Sequence, residues 1–257
     1  MTGHGYWVVL RRGDVDLGAG FLLTGRFVVT AEHCLRDLPA DERDVHVVFG
    51  DGVVRSARVQ TRLPDADLTL IMLDDRSPVP APIADVSSVD DPWRAPCRPR
   101  PTDPQLGGQV VEPETSYTCE GGAELTALQL RTDTVLGDYS GYSGGPVERI
   151  VHDGERLIGV LLEQYPDRQE PDRASNVLFA ATVGEVIDRF DQLQSANLVN
   201  AFREKDSVDE LISFGRQLME GSDGWQGEAM LNLDQLASIR LHIARSVVDG
   251  AIKRKLA

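Results

Sequence analysis

Lysine, cysteine and long apolar runs are all scarce in this sequence, and each shortage excludes something. Lysine occurs only at Lys205, Lys253 and Lys255, so 23 of the 26 basic residues are arginine. Against 41 Asp and Glu they leave a formal net charge of −15. That charge excludes wrapping of nucleic acid and docking on an anionic membrane, because both need clustered cationic surface. No stretch approaches the roughly 20 apolar residues of a bilayer span. The three cysteines, Cys34, Cys97 and Cys119, cannot all pair within one chain, and none stands in a C-x-x-C. The five histidines are scattered, so neither a disulfide framework nor a metal site is expected. The first residues, Met1 to Tyr6, lack the basic and apolar segments of a secretory leader. With the odd cysteine count, this predicts a cytoplasmic protein.

What is present is a globular composition, 41% apolar, on a chain long enough to bury a core without staples. The first two-thirds reads as many short strands: Tyr6–Arg12, Gly20–Leu23, Phe27–Thr30, Val45–Phe49, Val53–Thr61 and Leu68–Leu73. Turn signals such as Arg12-Gly13-Asp14 and Gly50-Asp51-Gly52 bound them. A connector from Ser77 to Pro104 holds more than half of the 14 prolines, which argues against helix or central strand there. Strands resume at Gly108–Val111, Leu125–Thr134, Leu157–Glu163 and Val177–Ala181. Closely spaced strands without intervening helices predict an all-β sandwich or barrel. After Thr182 the period changes to 3.6: Val183, Val186, Ile187, Phe190 and Leu193 predict a closing helix. Residues 195–257 read as a separate helical domain, with a capping box at Ser207-Val208-Asp209-Glu210. This tail has 8 basic and 9 acidic residues, net −1, so the β part carries −14 of the −15.

Three patterns carry chemistry, in a fixed order. Thr30-Ala31-Glu32-His33-Cys34 follows a strand, Asp67-Leu68-Thr69-Leu70-Ile71 begins one, and Gly141-Tyr142-Ser143-Gly144-Gly145-Pro146 is a glycine-rich turn. A serine hydroxyl is a poor nucleophile near neutrality and needs a base in hydrogen-bond reach, itself oriented by a third group. His33, Asp67 and Ser143 supply base, orienter and nucleophile in the order His, Asp, Ser. Glycines at 141 and 144 permit the tight turn, which would aim the Gly141 and Ser143 amides at a developing oxyanion.

On these motifs, residues 6 to about 190 resemble a trypsin-like serine peptidase of the chymotrypsin superfamily. The resemblance implies two six-stranded antiparallel β-barrels, about 1–76 and 105–182, with the Pro-rich connector 77–104 between them and a closing helix at 183–193. It puts the active site between the barrels and selects Asp67, directly before its apolar run, over Asp65, Asp74 and Asp75. It assigns substrate binding to Gly137 and Asp138 and to the strand holding Glu163. An Asp138 at the pocket floor would favour Arg or Lys before the scissile bond. Two departures stand out. Tyr142 replaces the aspartate that often precedes the serine, and Cys34 lacks its usual partner, since the facing positions are read as Ala19, Gly20 and Phe21.

The tail faintly resembles effector-associated, death-like adaptor domains of bacterial conflict systems, which implies recruitment by a sensor NTPase. The expected function is an intracellular serine endopeptidase that cleaves a specific protein partner without a cofactor, regulated through residues 195–257 in bacterial defence. The competing reading is a catalytically silent module that keeps the fold.

Overall fold

The computed structural model describes residues 5–193, apart from 40, 81, 153 and 167–173. The chain divides into two units, Met1–Val186 and Ile187–Ala257. The expected helical domain 195–257, with its adaptor role, lies outside the described residues.

Six strands form the first barrel: β1 (Trp7–Arg12), β2 (Val15–Leu22), β3 (Phe27–Ala31), β4 (Asp44–Phe49), β5 (Val54–Leu63) and β6 (Leu68–Leu73). They close in the order β1-β2-β3-β6-β5-β4, every pairing antiparallel. Period-two burial explains the closure. In β4, Val45, Val47 and Phe49 turn inward while Asp44 and His46 face water. In β1, Val8 and Leu10 do the same. Each fully buried side chain of this size contributes about 1.5–3 kcal/mol.

The second barrel comprises β7 (Pro92–Ala95), β8 (Leu106–Thr118), β9 (Glu124–Thr132), β10 (Pro146–Val151), β11 (Gly154–Pro166) and β12 (Ala174–Thr182). It closes as β10-β11-β12-β9-β8-β7. Two differences from the sequence reading follow from proline. β7 lies inside the expected connector, so this barrel begins at Pro92 and not near residue 105. Proline is tolerated at the first position of a strand, and Trp93 behind it is almost fully buried, with its Nε1–H donated to the Arg131 carbonyl at 3.1 Å. β10 is likewise opened by a proline and lies where the sequence reading places a turn. β8 runs seven residues past Val111 as an arm whose polar residues alternate between exposed and half-buried, which hides the strand from an apolar-pattern reading.

The closing helix is shorter than expected: α1 spans Val183–Arg189, and a 3₁₀ turn covers Asp191–Leu193. Thr182 caps α1, its Oγ1 accepting the Glu185 amide at 3.1 Å. Among the described residues no helix is long and apolar enough to cross a membrane.

The barrels meet through close backbone approaches. Gly144 of the second sits so near the first that a Cβ there would lie 2.3 Å from the Ala19 carbonyl oxygen. The β8–β9 turn docks on the segment before β6, where the Asp65 carbonyl accepts the Ala123 amide at 2.8 Å and the Cys119 thiol at 3.2 Å.

Candidate active site

Barrel topology brings His33 and Asp67 together across 34 positions of sequence. β3 and β6 are hydrogen-bonded neighbours running in opposite directions, with Ala31 opposite Leu68. The residues just past β3 therefore lie beside those just before β6. His33 sits in the 3₁₀ turn Glu32–Leu35, and Asp67 follows the 3₁₀ turn Pro64–Ala66. Asp67 adopts φ 51°, a left-handed conformation that costs about 1–2 kcal/mol and that Asp tolerates better than most residues. It is buried, and both of its oxygens are engaged. Oδ1 accepts the His33 backbone N–H at 2.9 Å, and Oδ2 lies 2.8 Å from His33 Nδ1. Two charge-assisted contacts to one carboxylate fix the imidazole plane and place its proton on Nδ1, which makes Nε2 the proton-accepting nitrogen. Asp65, Asp74 and Asp75 are all exposed.

Two opposing influences act on His33. Burial disfavours its charged form, but the Asp67 hydrogen bond and the adjoining Cys34 outweigh burial and raise the pKa to about 10. Arg62, which no sequence signal marked, holds the turn from below. Its Nε donates to Glu32 Oε1 at 3.0 Å and its second amino group to the Leu35 carbonyl at 3.1 Å.

Ser143 stands in the loop between β9 and β10. Gly141 and Gly144 take φ values of 88° and 79°, which side-chain-bearing residues rarely adopt. The loop is anchored from inside by two tyrosines. Tyr142 is buried in the second core and donates its hydroxyl to the Pro104 carbonyl at 2.7 Å. Tyr139, also buried there, donates to the Thr134 carbonyl at 2.8 Å. Tyr142 thus acts as an internal anchor where the resemblance led one to expect aspartate.

The Ser143 hydroxyl donates to the Leu162 carbonyl at 2.8 Å. A bulge in β11 explains why that oxygen is available: the pairing with β12 slips between Leu161 and Glu163 and leaves Leu162 outside the ladder. Among the described residues, neither the Gly141 nor the Ser143 amide donates to another protein group.

His33 and Ser143 line one cleft of about 410 Å³, together with Glu120, Tyr139, Ser140, Gly141, Leu161, Leu162, Glu163, Gln164 and Leu178. Glu163 is in this wall, but its carboxylate is already committed. Oε2 accepts the Tyr117 hydroxyl at 2.7 Å, and Oε1 accepts the Glu120 amide at 2.5 Å. Gly137 and Asp138 do not line the cleft. Asp138 is exposed and caps its own loop, accepting the Ser140 amide at 2.9 Å and hydroxyl at 2.6 Å. These bonds lower its pKa. Its short side chain is spent on a local turn, so it supplies no acidic pocket floor.

Cys34, Cys97 and Cys119 are all unpaired. The residue facing Cys34 is Gly18, not Ala19, Gly20 or Phe21: a Cβ at Gly18 would lie 2.7 Å from the Cys34 sulfur. The bulge in the β1–β2 ladder between Leu10 and Arg11 shifts the register there. Cys34 instead donates to the Ser143 carbonyl at 3.5 Å. Among the described residues no group of three or more His, Cys, Asp and Glu could hold a metal ion.

The sequence profile of the trypsin-like peptidase domain matches residues 18–160. No curated protein matches the chain at a significant level. Among solved structures the chain is similar to the Rv3671c protease of M. tuberculosis in its inactive form, with 20% identity and a TM-score of 0.55 over 73% of this chain and 88% of that one. It is likewise similar to the MamO protease domain from Magnetospirillum magneticum, at 17% identity and a TM-score of 0.56, covering 74% of this chain and 98% of that one. The HtrA-type protease AlgW, solved with a decapeptide, shares 17% identity at a TM-score of 0.54 over 71% of this chain and 53% of that one.

Proposed function

Because the chain belongs to the trypsin-like peptidase domain family, we propose that it is a serine endopeptidase working through an acyl-enzyme. The observation that carries this reading is the doubly bonded His33–Asp67 pair facing the same cleft as Ser143. Rotation about the Ser143 Cα–Cβ bond moves its hydroxyl from the Leu162 carbonyl toward His33 Nε2. His33 then accepts the hydroxyl proton as Oγ attacks the substrate carbonyl. The resulting oxyanion takes the Gly141 and Ser143 amides, neither of which has another acceptor among the described residues. Collapse expels the amine, which receives the proton from His33, and a water repeats the cycle to release the acid. Asp67 stays ionised throughout and holds the imidazolium. No step calls for a cofactor.

The substrate is proposed to be a protein, in keeping with the decapeptide bound to the similar AlgW. The three free thiols support a reducing, cytoplasmic setting. There, cleavage of one partner fits better than bulk digestion, and residues 195–257 are proposed as the part that recruits the enzyme, in a bacterial defence system.

One observation favours a second reading, a catalytically silent module: the Ser143 hydroxyl is bonded to Leu162, not to His33. Labelling with a fluorophosphonate separates the two. The peptidase reading expects covalent labelling of the wild-type chain and none of Ser143→Ala. Wild-type protein that stays unlabelled overturns it, and labelling that survives in Ser143→Ala shows that another residue is the nucleophile.

A further inference from the structure

One side chain crosses the cleft beside Ser143. The cleft has two walls: the loop Tyr139-Ser140-Gly141 and the strand segment Leu161–Gln164 of β11. Gln164 reaches from the second wall to the first, where its Oε1 accepts the Tyr139 backbone N–H at 2.8 Å. The donor is rigidly held, because the Tyr139 side chain is buried and its hydroxyl is bonded to the Thr134 carbonyl. Directly across the β11–β12 ladder from Gln164 stands Leu178, also buried and also lining the cleft. Leu161 adds a second buried apolar side chain. The space next to the nucleophile is therefore apolar inside and bridged at its solvent-exposed rim by the Gln164 amide. None of the three carboxylates near it is free to invite a cation: Asp138 is turned into its own loop, Glu163 accepts the Tyr117 hydroxyl and the Glu120 amide, and the Glu120 carboxylate pairs with Arg36 at 2.7 Å.

Resting on the peptidase reading above, we propose that Gln164 is a specificity-determining residue that restricts the residue before the scissile bond to small apolar side chains such as Ala and Val. A larger or charged side chain must displace the strap and break its hydrogen bond to the Tyr139 amide. It must also crowd Leu178. Pocket selection by size is worth about 10–200-fold.

The test uses the full chain and two kinds of covalent probe, read by intact mass. A fluorophosphonate without a recognition side chain reports the nucleophile alone. A series of peptidyl diphenyl phosphonates, with the side chain of Ala, Val, Phe or Lys next to phosphorus, reports the pocket. The Ala and Val probes are expected to label at least about tenfold faster than the Phe and Lys probes. Gln164→Gly is expected to raise the Phe-to-Val rate ratio about tenfold, whereas Gln164→Glu, which keeps an acceptor at the same reach, retains the wild-type Phe-to-Val ratio. Fluorophosphonate labelling of Ser143 with no preference for the small probes overturns the inference and leaves the peptidase reading standing. So does a Phe-to-Val ratio unchanged in Gln164→Gly. Absence of fluorophosphonate labelling overturns both.

Discussion

Gly18 and Cys34 face each other so closely that a methyl group on Gly18 would lie 2.6 Å from the Cys34 Cβ. Cys34 is the residue after His33, so the absence of a side chain at Gly18 sets how deeply the 3₁₀ turn can seat. Gly18→Ala is expected to destabilise the protein by about 1–3 kcal/mol, the usual cost of overpacking. The double variant with Cys34→Gly should recover most of the loss, since the two changes share one space. Thermal unfolding of the single and double variants checks this, and strict additivity would refute it.

The His33–Asp67 pair sets the pH response. A base must be neutral to accept the Ser143 proton, and the His33 pKa is raised to about 10. Fluorophosphonate labelling is therefore expected to speed up from about pH 7 to about pH 10 and then level off. Asp67→Asn removes one of the two groups behind the shift, Cys34 being the other, so its midpoint should move toward neutrality. Its rate should fall by on the order of 10³–10⁴-fold, as when the orienting carboxylate of a triad is lost. The same raised pKa stabilises the folded protein. That contribution is complete below the ordinary value of 6.5 and is lost as pH rises through about 10. A wild-type rate already flat at neutral pH contradicts this account.

Arg62 binds the Glu32 carboxylate and the Leu35 carbonyl around His33. Its removal leaves the largely buried Glu32 carboxylate unpartnered. Arg62→Ala is expected to cost about 1–3 kcal/mol of stability and to slow labelling of Ser143 at temperatures where the fold is intact. Arg62→Lys, which cannot span both partners, should recover only part. Denaturant unfolding beside labelling rates measures both effects, and an Arg62→Ala variant matching wild type in each would exclude the role.

Gly144 joins the nucleophile loop to the first barrel. A Cβ there would meet the Ala19 carbonyl oxygen at 2.3 Å and Thr30 Oγ1 at 2.4 Å, on a residue with φ 79°. Both obstacles act against Gly144→Ala, with an expected loss of about 2–5 kcal/mol. Labelling should drop with it, because Ser143 moves with its neighbour. Calorimetry and labelling of the same preparation test the coupling, and a normally stable, normally labelled Gly144→Ala would break it.

The local patterns of the sequence went far. The short alternating strands of the first barrel are legible because one face of each is wet and the other dry, as Val45, Val47 and Phe49 show. Strands opened by Pro92 and Pro146 were not legible, since proline argues against a strand until its position at the first residue is known. Gln164 and Glu163 illustrate a second limit. Both stand in a wall the sequence could locate, yet nothing in their neighbours reveals that one spans the cleft and the other is held by Tyr117.

By itself the sequence determined the composition-level exclusions, the β character of the first two-thirds and the three motifs with their residue types. Those depend on chemistry and period within a few residues. Only the tertiary structure decided how Asp67 holds His33, which residue faces Cys34, where the Ser143 hydroxyl rests and what fills the cleft. Each of these is a contact between segments tens of residues apart, fixed by strand order, register slips and close backbone approach. A one-residue bulge is enough to release the Leu162 carbonyl, and such a shift leaves almost no trace in local pattern.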